Sequence, residues 1–144
     1  MTIDAIIEDF AFLDEWEDRY RYVIELGKAL PPLGDEERTD ANKVRGCASQ
    51  VWIVSEIGNG NDPEIKFRGE SDAHIVRGLI AILLELYSGQ TASRILDIDP
   101  EAQFEAIGLR DHLTAQRSNG LTSMVNRIRH DAETALAAGK AGAK

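Results

Sequence analysis

Apolar residues recur every three or four positions near the start of the chain: Ile3, Ile6, Ile7, Phe10, Leu13, Trp16, Tyr20, Val23 and Ile24. That spacing puts them on one side of an α-helix, and carboxylates fill the other side. Thr2 is a suitable N-cap, with Asp4 and Asp9 near the positive end of the dipole. The pattern predicts an N-terminal helix closed by Gly27 and "LPPLG", since paired prolines cannot continue it. Residues 31–40 then form a connection.

The period changes to two after that connection. Three short strands are predicted: Asn42 to Arg45, Gln50 to Ile57 ("QVWIVSEI"), and "PEIKFRGES", where Ile65 and Phe67 alternate with Lys66 and Arg68. "GNGND" between the last two is turn chemistry, because Gly and Asn tolerate positive φ. Helical spacing returns at Ala73 and lasts to about Tyr87, with Ser71 or Asp72 as cap and Ile75, Val76, Leu79, Ile80, Leu83 and Leu84 inward. Its broad apolar coverage predicts the central, most buried helix. Gly89 closes it, and Thr91 opens a short helix over "TASRIL". "DPEAQFEAIG" has Asp99 as cap, Pro100 at the first helical position and Gly108 as terminator. "LRDHLTAQRSNGL" reads as a short helix and a polar bend. A last helix starts near Asn119 or Leu121 and carries Leu121, Met124, Val125, Ile128 and Ala132. Strands followed by a run of helices predict an α+β fold: an N-terminal helix, then a three-stranded antiparallel sheet covered on one face by helices.

The 144 residues suit a single domain over 1–139, with a frayed tail at 140–144. One cysteine, Cys47, cannot form an internal disulfide, and a free thiol fits the cytosol. The first residues are acidic, the wrong charge for a secretory or transit signal. The longest apolar run, "GLIAILLELY", is too short to span a bilayer, so no membrane partner is expected. The net charge is −9, and Met1 to Asp18 holds seven carboxylates and no Lys or Arg. Nucleic-acid binding needs clustered cations, so no nucleic-acid partner is expected either. The acidic run suits a solvated helix face or a docking surface for a basic partner.

No metal site is predicted. His74, His112 and His130 lack the spacing that puts two ligands on one helix face, and one thiol cannot build a cluster cage. Cys47 has two readings. A free cysteine commonly packs as a small buried hydrophobe. Here Gly46 permits a tight bend before it, and Lys43 and Arg45 bring cations that favour thiolate. The thiol therefore belongs on a connection at the end of the sheet, where chemistry usually sits.

"NKVRGCASQVWI" (42–53) resembles the thiol-bearing motif of the SufE family, Gly-Cys-x-Ser-Gln-Val-Trp. The likeness continues in "WEDRYRYVIELGKALP", "GESDAHIVRGLIAIL" and "LRDHLTAQRSNGLTSMVNRIR", in the family's order and over nearly the whole chain. One departure is Glu70, where many relatives carry Asp. The resemblance implies a carrier that takes sulfane sulfur as a persulfide on Cys47 from a cysteine desulfurase, stimulates it, and passes the sulfur to an iron–sulfur scaffold or another acceptor. It implies that Gly46, Ser49, Gln50 and Trp52 shape the Cys47 loop, with Asp72 and Arg117 near it. It also implies no cofactor on this chain, the pyridoxal phosphate (PLP) belonging to the desulfurase. A homodimer stays open. Rival readings are a binding module that activates the desulfurase without carrying sulfur, or a cluster carrier, which a single cysteine disfavours.

An ordinary thiol has a pKa of about 8.5, and lowering it by about one unit raises the thiolate fraction about eightfold while costing about threefold in nucleophilicity. The net gain is small. Presentation to a docked partner is therefore the expected working principle. A persulfide also needs shelter, so Cys47 is expected to fold into a niche formed by Val51, Trp52 or the central helix, with Gly46 as hinge and burial raising its pKa. Arg117 has three readings: fixing the loop, meeting the partner, or capping the preceding helix. Trp52 reads as a core residue before a contact.

Overall fold

The computed structural model describes residues 3–142. The chain begins with two helices, α1 (Ile3–Phe12) and α2 (Trp16–Lys28). The single stripe predicted there is broken at residues 13–15. Asp14 and Glu15 oppose the negative end of α1 and favour the positive start of α2. Arg19 seals the break, with Nε donating to Leu13 O at 2.6 Å and a second guanidinium nitrogen to Phe10 O at 3.1 Å. The Tyr22 hydroxyl donates to Asp9 at 2.5 Å, and its ring meets Phe10 edge-on. The helix start proposed at Thr2 lies outside the described residues.

Two strands follow, β1 (Val51–Ile57) and β2 (Glu64–Ser71). They pair antiparallel, with Val51 opposite Ser71 and Ile57 opposite Ile65. The third strand is not Asn42 to Arg45. It is the short β3 (Gln90–Thr91), which pairs with the other edge of β2. Asn42 to Arg45 contracts to one bridge, Lys43 with Trp52. The reason is the thiol loop: the chain must turn away at Gly46 before a ladder can extend.

The central helix α3 (His74–Tyr87) buries Ile75, Val76, Gly78, Leu79, Ile80, Ile82, Leu83, Leu86 and Tyr87. Neither predicted residue caps it. Ser71 Oγ accepts from Ala73 N at 3.2 Å, and Asp72 turns away to Gln50. Two glycines let α2 and α3 cross closely. A Cβ on Gly27 would lie 2.6 Å from Gly78 N, and one on Gly78 would overlap the Val23 carbonyl oxygen. Gly27 is thus a packing residue inside α2, not its terminator.

After α3, Gly89 takes a φ of 84° and feeds β3. Helix α4 (Ala92–Asp97) is capped by Thr91, and α5 (Pro100–Ala106) by Asp99, with Gly108 at φ 63° beyond it, as the sequence predicts. A 3₁₀ turn at Arg110–His112 leads into α6 (Ala115–Gly142). The predicted polar bend at "RSNGL" is instead the first turns of α6: Thr114 Oγ1 accepts from Arg117 N at 3.2 Å. The helix also runs through residues expected to fray. Residues 143–144 lie outside the described residues.

Val51, Ile53, Ile65 and Phe67 are buried on one face of the sheet, with Leu79, Ile80, Leu121, Met124 and Ile128 in the same core. The opposite face carries Trp52, Val54, Arg68 and Glu70, and the connection before β1 ties onto it. Arg38 donates to Glu70 at 2.9 Å, and Arg68 forms a two-bond pair with Glu37. Glu70 thus has a defined partner. Trp52 is only half-buried on this outer face and is not part of the core. Its expected place there fails because β1 puts Val51 and Ile53 inward and Trp52 outward.

Two outcomes follow from this packing. Helix propensity alone favours Ala over Gly by about 1 kcal/mol, yet Gly78→Ala should lower stability by about 2 kcal/mol or more, read by urea unfolding. The Arg68 hydrogen bond lowers Glu37 from its ordinary 4.5 to about 2, helped by the backbone bond from Gly34. A depressed carboxyl stabilises the fold above its unfolded pKa and loses that contribution as pH falls. Glu37→Gln should therefore flatten part of the stability loss between pH 4.5 and about 2 in acid titrations of the urea midpoint.

Candidate functional site

The stem of the thiol loop is a short piece of paired backbone. Ile53 N donates to Asn42 O at 2.9 Å, and Val44 N donates to Val51 O at 2.8 Å. The chain then turns at Arg45–Gly46 with Gly46 at φ 86°, a conformation natural only to glycine. A Cβ there would also press on Ser123 Oγ at 2.5 Å. The far end of the loop is pinned by Asp72, whose Oδ1 accepts from Gln50 N at 3.0 Å while its own N donates to Gln50 O at 3.3 Å.

Between these ends sits Cys47, half-buried and packed against the core. Its Sγ donates weakly to Gly120 O on α6 at 3.6 Å. Beside the sulfur opens a cavity of about 250 Å³ lined by Ala48, Ser49, Val76, Leu79, Arg117 and Met124, among others. Its floor is apolar, from α3 and α6, and its rim is polar. The niche thus comes from the central helix, as expected, but not from Val51 or Trp52. Val51 lies in the core and Trp52 on the outer face, and neither lines the cavity.

Burial pushes the Cys47 thiol up from its ordinary value. This is the direction expected from burial; the cations Lys43 and Arg45, which favour thiolate, do not outweigh it. Arg45 is exposed, and burial is the cause of the thiol's shift. Arg117 lies in the first turn of α6, with its guanidinium 5.9 Å from the centre of the Tyr20 ring and its side chain on the cavity wall. That is the position of a residue lining the site, not of a cap on the preceding turn. Of the residues singled out in the sequence, Cys47, Ser49 and Arg117 meet at the cavity. Gly46, Gln50 and Asp72 set the loop's path, and Trp52 stands apart on the outer face.

Sequence reasoning missed Val76, Leu79, Gly120 and Met124 as site residues. Their helical spacing marks them as buried, but nothing in it says which helix face meets the thiol. Gly120, taken for a bend, is a buried helix position in contact with Cys47. Among the described residues, no cluster of His, Cys, Asp and Glu could hold a metal, and no helix is long and apolar enough to cross a membrane.

The site is a single half-buried thiol on a glycine turn, beside a cavity in an α+β domain. Residues 4–132 match the SufE family, described as an Fe-S metabolism associated domain, and the chain belongs to that family. It is 59% identical over 138 residues to an uncharacterized SufE-like protein of Rhizobium meliloti (strain 1021), covering 95% of this chain and 99% of that one. It is also 59% identical over 138 residues to an uncharacterized SufE-like protein of Rhizobium etli, covering 95% and 93%. The solution structure of a hypothetical protein from Thermus thermophilus shares the fold, with a TM-score of 0.74, 20% identity, and coverage of 95% and 99%.

The half-buried thiol has a kinetic signature. In the free protein, the rate of Cys47 alkylation should rise with pH around a midpoint above the ordinary thiol value of about 8.5. A midpoint below that value would contradict the sheltered geometry.

Proposed function

We propose that this protein is a sulfur carrier that accepts sulfane sulfur on Cys47 from a PLP-dependent cysteine desulfurase, stimulates that enzyme, and hands the sulfur to iron–sulfur cluster assembly. The observation that carries this reading is the setting of the chain's single thiol: half-buried, beside an open cavity, next to a turn at Gly46. The family's association with Fe-S metabolism supports the same direction.

The chemistry is thiol exchange without net redox change. The Cys47 thiolate attacks the outer sulfur of the partner's persulfide. The donor S–S bond breaks, a new one forms on Cys47, and the partner's cysteine leaves as thiolate. The proton on the outer sulfur travels with it. A second exchange, with the acceptor's thiolate attacking the outer sulfur, returns Cys47 to thiolate. No cofactor on this chain is required, because PLP acts on the partner before the sulfur arrives.

The apolar part of the cavity suits the loaded state. Val76, Leu79 and Met124 give the added sulfur an environment that small thiols in solution reach poorly. On docking, the turn swings outward about Gly46. Arg117 stays with α6 at the vacated rim, where its charge favours the anionic forms in the exchange.

Intact-mass measurement tests the reading. After mixing with a cysteine desulfurase and cysteine, the protein should gain one sulfur atom mapped to residue 47. Cys47→Ser should gain none and should lose stimulation of alanine release. Retained stimulation by Cys47→Ser in the absence of dithiol would instead identify a non-carrying activator.

A further inference from the structure

One face of α6 runs the length of the thiol loop and its stem. Gly120 meets Cys47, Ser123 lies against Gly46, and Arg127 reaches the strand-like stretch before them. The three positions follow a helical three-then-four spacing, so they share a face. The chain from Ala41 to Cys47 therefore passes antiparallel along α6.

The grip is uneven along this path. At the thiol end it is a weak sulfur contact of 3.6 Å to a carbonyl. At the stem end it is charged: one guanidinium nitrogen of Arg127 donates to Ala41 O at 3.0 Å and another to Lys43 O at 3.5 Å. Its Nε faces both oxygens of Asp131, one turn further on, at 3.2 and 3.3 Å. The Arg127 and Asp131 side chains are only 22% and 14% exposed, so this pair is poorly screened by water. Charge-assisted bonds to a fork-shaped donor are stronger and more directional than neutral ones.

We propose that Arg127, braced by Asp131, is a positioning residue for Cys47. It locks Ala41–Lys43 onto α6, so that the moving unit is confined to the glycine turn and the thiol. Without it, the stem keeps the Lys43–Trp52 bridge with its neighbouring backbone bonds, the Asn42 side-chain bond to Glu37 O and the buried Val44, but loses its charged tie to α6, and the flexible segment grows back from the turn. A larger flexible segment opens more readily to small reagents and presents the sulfur less accurately to a docked enzyme. The consequence for transfer rests on Cys47 being the sulfur carrier; the consequence for exposure of the thiol does not.

The test uses the full chain with Arg127→Ala, Arg127→Lys and Asp131→Asn. Iodoacetamide alkylation of Cys47 is followed without denaturant, alongside circular dichroism and urea unfolding of each variant. Arg127→Ala should be alkylated roughly tenfold faster, the scale of one lost charge-assisted hydrogen bond. Arg127→Lys should fall between it and the parent, because lysine keeps the charge and loses the fork. Asp131→Asn should move the same way by a smaller factor. With a cysteine desulfurase, Arg127→Ala should raise KM more than it lowers kcat, since a looser segment must be ordered on docking. Unchanged alkylation in folded Arg127→Ala would overturn the assignment, as would an increase fully accounted for by the fall in global stability. If Arg127→Ala does not fold, Asp131→Asn decides: alkylation at the parent rate overturns the role. The alkylation result needs no sulfur donor. Its failure is therefore distinct from failure of persulfide formation on Cys47.

Discussion

The close crossing of α2 and α3 at Gly27 and Gly78 is the constraint on which the rest of the fold is built. Backbone meets backbone there, with no room for a Cβ on Gly78 beside the Val23 carbonyl. Such contact lets α3 sit deep between α2 and the sheet, with most of its circumference buried. A second close approach lies across the sheet, where a Cβ on Gly69 would meet Ile80 Cγ2 at 2.7 Å. Small residues on either side thus set the depth of α3. Its first turns, bearing Val76 and Leu79, become a fixed floor for the thiol cavity.

Several separate contacts position the chain around Cys47. Ion pairs hold the connection before β1 to the outer face of the sheet, through Arg38 with Glu70 and Arg68 with Glu37. Backbone hydrogen bonds and Arg127 hold the stem. Asp72 holds the exit at Gln50. The sulfur itself is held least, by a long contact to Gly120 O. Thermal motion opens the weakest point first, so this arrangement favours opening at the thiol.

Much of this was legible in the sequence, for reasons tied to particular residues. The α+β arrangement follows from a change of period, three or four to two and back, and α3, α4 and α5 were legible from their apolar runs, Thr91, Asp99 and Pro100. The failures share a cause: a local signal overridden by a distant partner. Gly27 and Gly120 carry the local meaning of a stop, yet each lies within a helix, Gly27 against α3 and Gly120 against the thiol. The Asn42 to Arg45 strand lost its ladder to the turn at Gly46, and the two-residue β3 is too short to leave a period in the sequence. At the site, the thiol, its hinge and Arg117 were visible as residue types. The facing residues of α3 and α6 were not, because inwardness is periodic and a meeting of helices is not.

The raised pKa of Cys47 is in harmony with this design. An isolated nucleophile gains from ionisation, and burial opposes it. Yet a raised pKa lowers the thiolate fraction while making the thiolate that forms more nucleophilic, so the two effects partly cancel, whereas alignment in a docked complex is worth orders of magnitude. A carrier also faces a requirement that an enzyme's nucleophile does not: its loaded sulfur must avoid small thiols and oxidants between partners. In the proposed carrier role, the half-burial of Cys47 beside the cavity would give that protection. On the proposed reading, access to the thiol, more than its ionisation, governs its reactivity.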